Sequence, residues 1–215
     1  MGKKAAIIGA TGLIGSHLLQ LLEQDKSVDE VVVLARRTFK ASSPKTVIHE
    51  VDFNNPKSYG SLLKGCTHAF CCLGTTMKKA GSKEAFYQVD HEYVLSFARQ
   101  THLQNCTSFS LVSSLGADAS SVFYYNRVKG KIEKAIQEIP FKTIHIFRPS
   151  LLLGNRNEKR QGENFAKWAD KTFSWLIPNK YKGIEGAKVA KAMLEKANNP
   201  VQETAIYESE EIRKM

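Results

Sequence analysis

Four groups of residues in this 215-residue chain have the types and spacing to do chemistry. Gly9-Ala10-Thr11-Gly12-Leu13-Ile14-Gly15 sets three glycines three apart at the end of a short apolar run. A turn of that kind opening a helix presents bare backbone amides, and the positive end of the helix dipole, to phosphate groups. Arg36-Arg37 closes the next apolar run, and guanidinium groups grip phosphate bidentately. Tyr125 and Lys129 are four residues apart, so a phenol and an ammonium share one helix face. Ser113-Ser114 lies one element upstream. A hydroxyl, a phenol and an ammonium brought together can polarise a carbonyl oxygen and pass it a proton.

These groups meet only if the elements between them form a particular frame. Lys4–Gly9, Glu30–Ala35, Thr46–Val51, His68–Leu73, Ser108–Ser113 and Thr143–Phe147 are short apolar or β-branched runs and read as buried strands. Leu13–Gln24, Tyr59–Lys64, Ser82–Thr101 and Val122–Glu138 read as helices, with Pro140 ending the last of them. After Pro149 the pattern loosens. Asn164–Trp175 and Gly186–Ala197 read as helices, Asn155–Gly162 as a polar loop, and Thr204–Tyr207 as a last strand. Strands alternating with helices predict an α/β fold: a doubly wound parallel sheet, the Rossmann fold, with helices on both faces. One domain over residues 1–215 is expected, with residues from about 150 onward forming a small substrate-side part. Ligands then belong at the carboxyl ends of the strands, where the first glycine turn and Ser113-Ser114 both fall.

Within such a frame the glycines have separate tasks. Gly9 permits the tight turn, Gly12 lets a pyrophosphate approach, and Gly15 lets helix and strand pack closely. The end of the second strand decides the nucleotide. A carboxylate there would hold a ribose 2′-hydroxyl, whereas this chain carries Leu34-Ala35-Arg36-Arg37. Arginine suits a 2′-phosphate, so NADP is expected in preference to NAD. Asp52 and Phe53, after the third strand, are placed near the adenine.

Composition excludes several alternatives. Apolar residues at 42% and charged residues at 24% are the ordinary globular mix. No apolar run reaches the roughly 18 residues a membrane span requires. Lys3-Lys4 before Ala5-Ala6-Ile7-Ile8 imitates a signal peptide, but glycines interrupt it and no small-residue cleavage site follows. The chain is expected to be cytoplasmic. Cys66, Cys71, Cys72 and Cys106 form no Cys-x-x-Cys pair and the histidines no His-x-x-x-His, so no metal is expected. The net charge of +10 is spread along the chain. With aromatics at core spacings, nucleic-acid binding is not the expected use of that charge.

The combined pattern resembles the short-chain dehydrogenase/reductase family, in the extended or atypical branch whose glycine motif is Gly-x-x-Gly-x-x-Gly. It is most similar to the Tat-interacting protein-like group of small oxidoreductase-like proteins. That closer likeness is carried by Cys72-Leu73-Gly74-Thr75-Thr76, Val89-Asp90, Leu111 through Asp118, Tyr125 through Gly130, and Arg148-Pro149-Ser150-Leu151-Leu152-Leu153-Gly154. The resemblance implies a catalytic set of Ser114, Tyr125 and Lys129, with Ser113 as the alternative to Ser114. Tyr125 would donate the proton in carbonyl reduction, Lys129 would favour phenolate and hold the nicotinamide ribose, and Ser114 would orient the substrate oxygen. It also implies a cofactor resting on Gly9, Thr11, Gly12, Leu13, Ile14, Gly15, Arg36, Arg37, Asp52, Phe53, Leu73, Gly74, Thr75, Tyr125, Lys129, Pro149 and Leu151.

The chain departs from the family pattern in two places. Asp90 stands where the family keeps an Asn tied to a proton relay, and Leu73-Gly74-Thr75-Thr76 replaces the usual Asn-Ala-Gly type of loop. Two functions fit: an NADP-dependent oxidoreductase acting on a small carbonyl or alcohol, and an NADPH-binding regulatory or scaffold protein with little catalysis and a protein partner. Both monomer and homodimer fit the long helices.

Overall fold

Runs of Ile, Val and Ala buried on both sides form the centre of a seven-stranded parallel sheet in the computed structural model, which describes residues 2–153, 181–199 and 203–215. Its strands are β1 (Lys3–Ile8), β2 (Val28–Ala35), β3 (Thr46–Glu50), β4 (His68–Cys71), β5 (Ser108–Val112), β6 (Thr143–Arg148) and β9 (Thr204–Glu208). β7 (Leu152–Leu153) and β8 (Ile184–Glu185) pair separately. The main order is β3-β2-β1-β4-β5-β6-β9. It reverses between β1 and β4, which opens a crevice at their carboxyl ends. The doubly wound expectation is thereby met. The loop Asn155–Gly162 and the helix Asn164–Trp175 lie outside the described residues.

Two helical layers cover the sheet. On one face α1 (Leu13–Gln24) and α6 (Gly186–Asn198) bury Leu18, Leu22, Val189 and Met193 against Ile7, Val33, Phe70 and Phe147. On the other, α4 (Tyr93–Leu103) and α5 (Tyr124–Gln137) bury Phe97, Ala98, Ile132 and Ile136 against Ile8, Leu34 and Leu111. Each such Leu, Ile or Phe contributes about 1.5–3 kcal/mol by leaving water. The stretch beyond residue 150 contributes to the main frame, because β9 extends the main sheet and α6 packs on α1.

Two helices differ from their sequence reading. The short helix expected at Tyr59–Lys64 is a 3₁₀ turn, Gly60–Leu63. The uninterrupted helix expected at Ser82–Thr101 is three pieces: α3 (Lys83–Tyr87), a π-helical turn (Gln88–Glu92), and α4. Ser82 caps α3 by accepting from the Ala85 amide at 3.1 Å. A shorter helix, α2 (Met77–Ala80), comes before it, and α7 (Ser209–Lys214) ends the chain behind a Glu208–Glu211 capping box.

One buried histidine makes the fold acid-sensitive. His145 on β6 is fully buried, with Nδ1 3.2 Å from the Tyr207 hydroxyl. Burial, then Lys196 and His68, depresses its pKa from 6.5 to about 4. Between those values the unfolded chain holds the extra proton, so stability is full above pH 6.5 and falls as pH drops toward 4. About 2–3 kcal/mol is expected to be lost over that window. Urea unfolding at several pH values checks this, and His145→Phe should flatten the slope.

Candidate functional site

The first turn is shaped by what stands behind it. Gly9 has φ +77°, and a Cβ there would lie 2.4 Å from the Cys72 carbonyl carbon at the end of β4. A Cβ on Gly15 would lie 2.1 Å from the Gly9 oxygen. A Cβ on Gly12 would meet only that oxygen at 3.2 Å and the Cys72 oxygen at 4.0 Å. Gly9 and Gly15 are thus small because protein backbone crowds them, and Gly12 is small on an open side. Gly12 is also the N-cap of α1. It contributes no side-chain cap, and the first turn holds no acidic residue. The leading amides, at Leu13 and Ile14, keep their donors for an anion. Thr11 is exposed on the same turn. These features fit a dinucleotide pyrophosphate.

Beyond the ends of β2 and β3 lies a cavity of about 440 Å³ lined by Arg36, Glu50, Val51, Asp52, Phe53, Asn54 and Tyr93. The Phe53 ring is buried against Tyr59 and Tyr93, with centroids 5.9 and 5.6 Å away. Arg36 and Asp52 therefore share one concavity, whereas Arg37 is exposed and outside its lining. Neither arginine forms a salt bridge among the described residues. Glu50 is a lining acid that spacing from the glycines did not point to, because it lies at the end of β3. Its Oε2 accepts the Thr38 amide at 3.2 Å.

On the other side of the crevice, α5 carries Tyr125 and Lys129. α5 lies close against the preceding loop because residue 130 is glycine: a Cβ there would lie 2.1 Å from the Ala119 nitrogen. Tyr124 and Tyr125 have different surroundings. The Tyr124 hydroxyl donates to the Lys83 carbonyl at 2.8 Å, and its ring lies under Lys83 and Arg127. Tyr125 is 37% exposed, with its ring 5.5 Å from that of Phe86. Its hydroxyl is outside that tether.

Lys129 is buried, and its ammonium lies 2.8 Å from Asp90 Oδ1. Asp90 is wholly buried on the π-helical turn, and its Oδ2 accepts the Thr75 amide at 2.8 Å. Burial opposes the charge on Lys129, but Asp90, and then Tyr125, outweigh it and hold the ammonium above its ordinary value. A Cβ on Gly74 would lie 3.2 Å from Asp90 Oδ1 and 3.6 Å from Lys129 Nζ. The Leu73-Gly74-Thr75 loop and Lys129 are therefore one cluster, built around the residue in which the chain departs from the family pattern.

Ser113 and Ser114 follow β5. The Ser113 amide donates to the Phe147 carbonyl at 2.8 Å and that of Leu115 to the Pro149 carbonyl at 2.9 Å. Both serine side chains are buried, and neither hydroxyl has a hydrogen-bond partner among the described residues. Buried hydroxyls without partners are uncommon and call for an explanation. Ser113 and Ser114 are alike in this respect, so the alternative between them stays open. Pro149 continues from β6 beside Leu115, and Leu151 is half exposed, its carbonyl accepting from Ile184 at 2.9 Å.

Comparisons agree with this frame. A family described as NAD(P)H-binding matches residues 9–200. The chain is 36% identical over 204 residues to Protein HTATIP2 of Rattus norvegicus, covering 92% of this chain and 82% of that one. It is 33% identical over 201 residues to Protein FMP52, mitochondrial, of Debaryomyces hansenii, covering 92% and 88%. In fold it is similar to the enzyme WbmH of Bordetella bronchiseptica, solved in complex with NAD+, at TM-score 0.70 and 14% identity over 99% of this chain and 78% of that one. A UDP-N-acetylglucosamine 4-epimerase from Bacillus cereus gives TM-score 0.72 and 15% identity over 96% and 79%. Those two likenesses concern the fold alone. With a family match from the first glycine almost to the last strand, the chain belongs to the NAD(P)H-binding Rossmann proteins, in the HTATIP2 and FMP52 group that is like the atypical short-chain dehydrogenase/reductases.

Proposed function

We propose that the protein is an NADP-dependent oxidoreductase that transfers hydride between NADPH and a small carbonyl or alcohol substrate. The observation that carries this reading is the pair of buried, partnerless hydroxyls on Ser113 and Ser114. They lie on the same rim of the sheet as the glycine turn and the Lys129 cluster. Bound NADPH supplies the hydride. The protein's own groups do the rest. The amides after Gly12 hold the pyrophosphate, and Arg36 holds the 2′-phosphate at the mouth of its cavity. Ser114 donates a hydrogen bond to the substrate oxygen. Tyr125 gives that oxygen its proton, and Lys129 holds the nicotinamide ribose. One observation favours the regulatory alternative: Val122 and Phe123, just before α5, are 85% and 70% exposed apolar side chains of the kind a protein partner covers.

Calorimetric titration with NADPH and NADH comes first. NADPH should bind at least about tenfold more tightly, roughly 1.4 kcal/mol, and Arg36→Ala should remove that margin. Equal affinities would remove the case for NADP, and binding of neither would remove the enzyme. Assay against a carbonyl panel then separates the two functions. Tyr125→Phe should lower turnover by about 100-fold or more with NADPH affinity unchanged. A wild-type chain that binds NADPH and consumes none on any carbonyl is the regulatory protein.

A further inference from the structure

We propose that Asp90 is a positioning residue: its carboxylate neutralises Lys129 and pins the Leu73-Gly74-Thr75 loop, so that Tyr125 is held as a neutral phenol, the form that donates a proton to a carbonyl oxygen. The inference rests on the roles given above to Tyr125 and Lys129.

The geometry supplies the reasons. An ammonium beside a phenol favours the phenolate, and does so most strongly when both are shielded from water. Here the ammonium has a carboxylate at 2.8 Å, and the side chains of the pair are 6% and 0% exposed. The carboxylate therefore opposes the pull that the ammonium exerts on the Tyr125 proton. A neutral amide at position 90 would leave the lysine charge uncompensated. The other oxygen of Asp90 takes the Thr75 amide, so one side chain fixes both the lysine and a loop expected to carry the cofactor. Oδ1 has no other hydrogen bond among the described residues to divert it.

Other titratable groups leave this balance intact. Tyr125 faces the pair from α5, and Cys71 faces it from β4 as a neutral thiol whose pKa burial pushes up to about 12. On the π-helical turn, His91 is engaged with Glu92 at 2.8 Å and stacks on Tyr87, with centroids 4.4 Å apart. In the reaction, hydride adds to the carbonyl carbon as the C=O π bond breaks. The phenol O–H breaks as its proton joins the oxygen. An alcohol and the oxidised cofactor result, and the Tyr125 phenolate recovers its proton from water.

The test needs neither substrate nor cofactor. Near-ultraviolet absorbance follows phenolate formation with pH, and subtracting the matching Tyr125→Phe protein isolates Tyr125 from the other tyrosines. In Asp90→Asn the Tyr125 phenolate should form at least about one pH unit lower than in wild type. An unchanged or higher midpoint overturns the proposal. Loss of one partner from a buried pair can prevent folding, so Asp90→Asn with Lys129→Met, which removes both charges, is measured as well. Its Tyr125 midpoint should stay within about half a pH unit of wild type. A rise of a unit or more would mean that the ammonium acts uncompensated, and the proposal fails. A protein that passes both measurements and binds no NADPH would refute the proposed function and leave the charge balance standing.

Discussion

Gly12→Val is expected to abolish NADPH binding and leave the fold intact, whereas Gly15→Val is expected to lose the fold itself. The two residues lie in the same turn, three apart, and differ in what surrounds them. The Gly12 backbone is extended, with φ −78° and ψ 173°, which valine adopts without strain. Its new methyl groups would point to the open side of the turn. There they would occupy the space a pyrophosphate needs to reach the α1 amides. Affinity should fall by roughly 100-fold or more, about 2.7 kcal/mol, with the melting temperature within a few degrees of wild type. On Gly15 the first added carbon already lies 2.1 Å from the Gly9 oxygen and 2.8 Å from its carbon. These are backbone atoms at the junction of β1 and α1, and no rotamer relieves the contact. A loss of about 3 kcal/mol or more is expected. Calorimetry together with thermal unfolding of the two variants decides the matter. Retained binding in Gly12→Val would show that the nucleotide does not lie on this turn.

Arg148→Met should destabilise the protein by about 3–5 kcal/mol in urea unfolding, because it strands a buried charge. Arg148 Nε donates to Glu133 Oε1 at 3.0 Å, and Nη1 to Glu208 Oε1 at 2.9 Å. The Glu133 side chain is 3% exposed, so it cannot turn to water when the guanidinium is removed. Glu208, at 43%, can, and its share of the cost is small. Converting Glu133 to Gln in the same chain should recover most of the loss. No recovery would mean that the arginine acts through its packing. The pair also bears on chemistry. Glu133 is one turn beyond Lys129, and both point inward from α5 to partners on other elements. Asp90 and Arg148 therefore hold the helix that carries Tyr125 at two successive turns.

The frame was legible because its signals are local. Val31-Val32-Val33-Leu34 is short and β-branched, which favours a buried strand, and glycines three apart mark their turn without help from distant residues. The site was legible only in part. Sequence reasoning assigns Arg36 to a 2′-phosphate and Asp52 and Phe53 to an adenine, and the structure lines one cavity with all three. Asp90 was noticed as a departure, but nothing in its neighbourhood along the chain says that it meets Lys129 from a different helix. The π-helical turn was invisible because Phe86, Val89, Tyr93, Val94 and Phe97 also fit the spacing of an uninterrupted helix. The four-residue spacing from Lys129 favours Tyr125 over Tyr124, but says nothing of what holds either hydroxyl. The structure adds the tether of the Tyr124 hydroxyl to the Lys83 carbonyl, which Tyr125 lacks.

The π-helical turn at Gln88–Glu92 is one residue wider than an α-helical turn. A plain helix over the same span would rotate its two halves by about 100° relative to each other. Phe86, beside Tyr125, and Phe97, in the core under α4, could then not both keep their places. A single-residue deletion in this turn would preserve helix content and circular dichroism while separating the proton-handling face from the packing face. Insertions and deletions, ordinarily absorbed by surface loops, would here act on the chemistry through the interior of a helix.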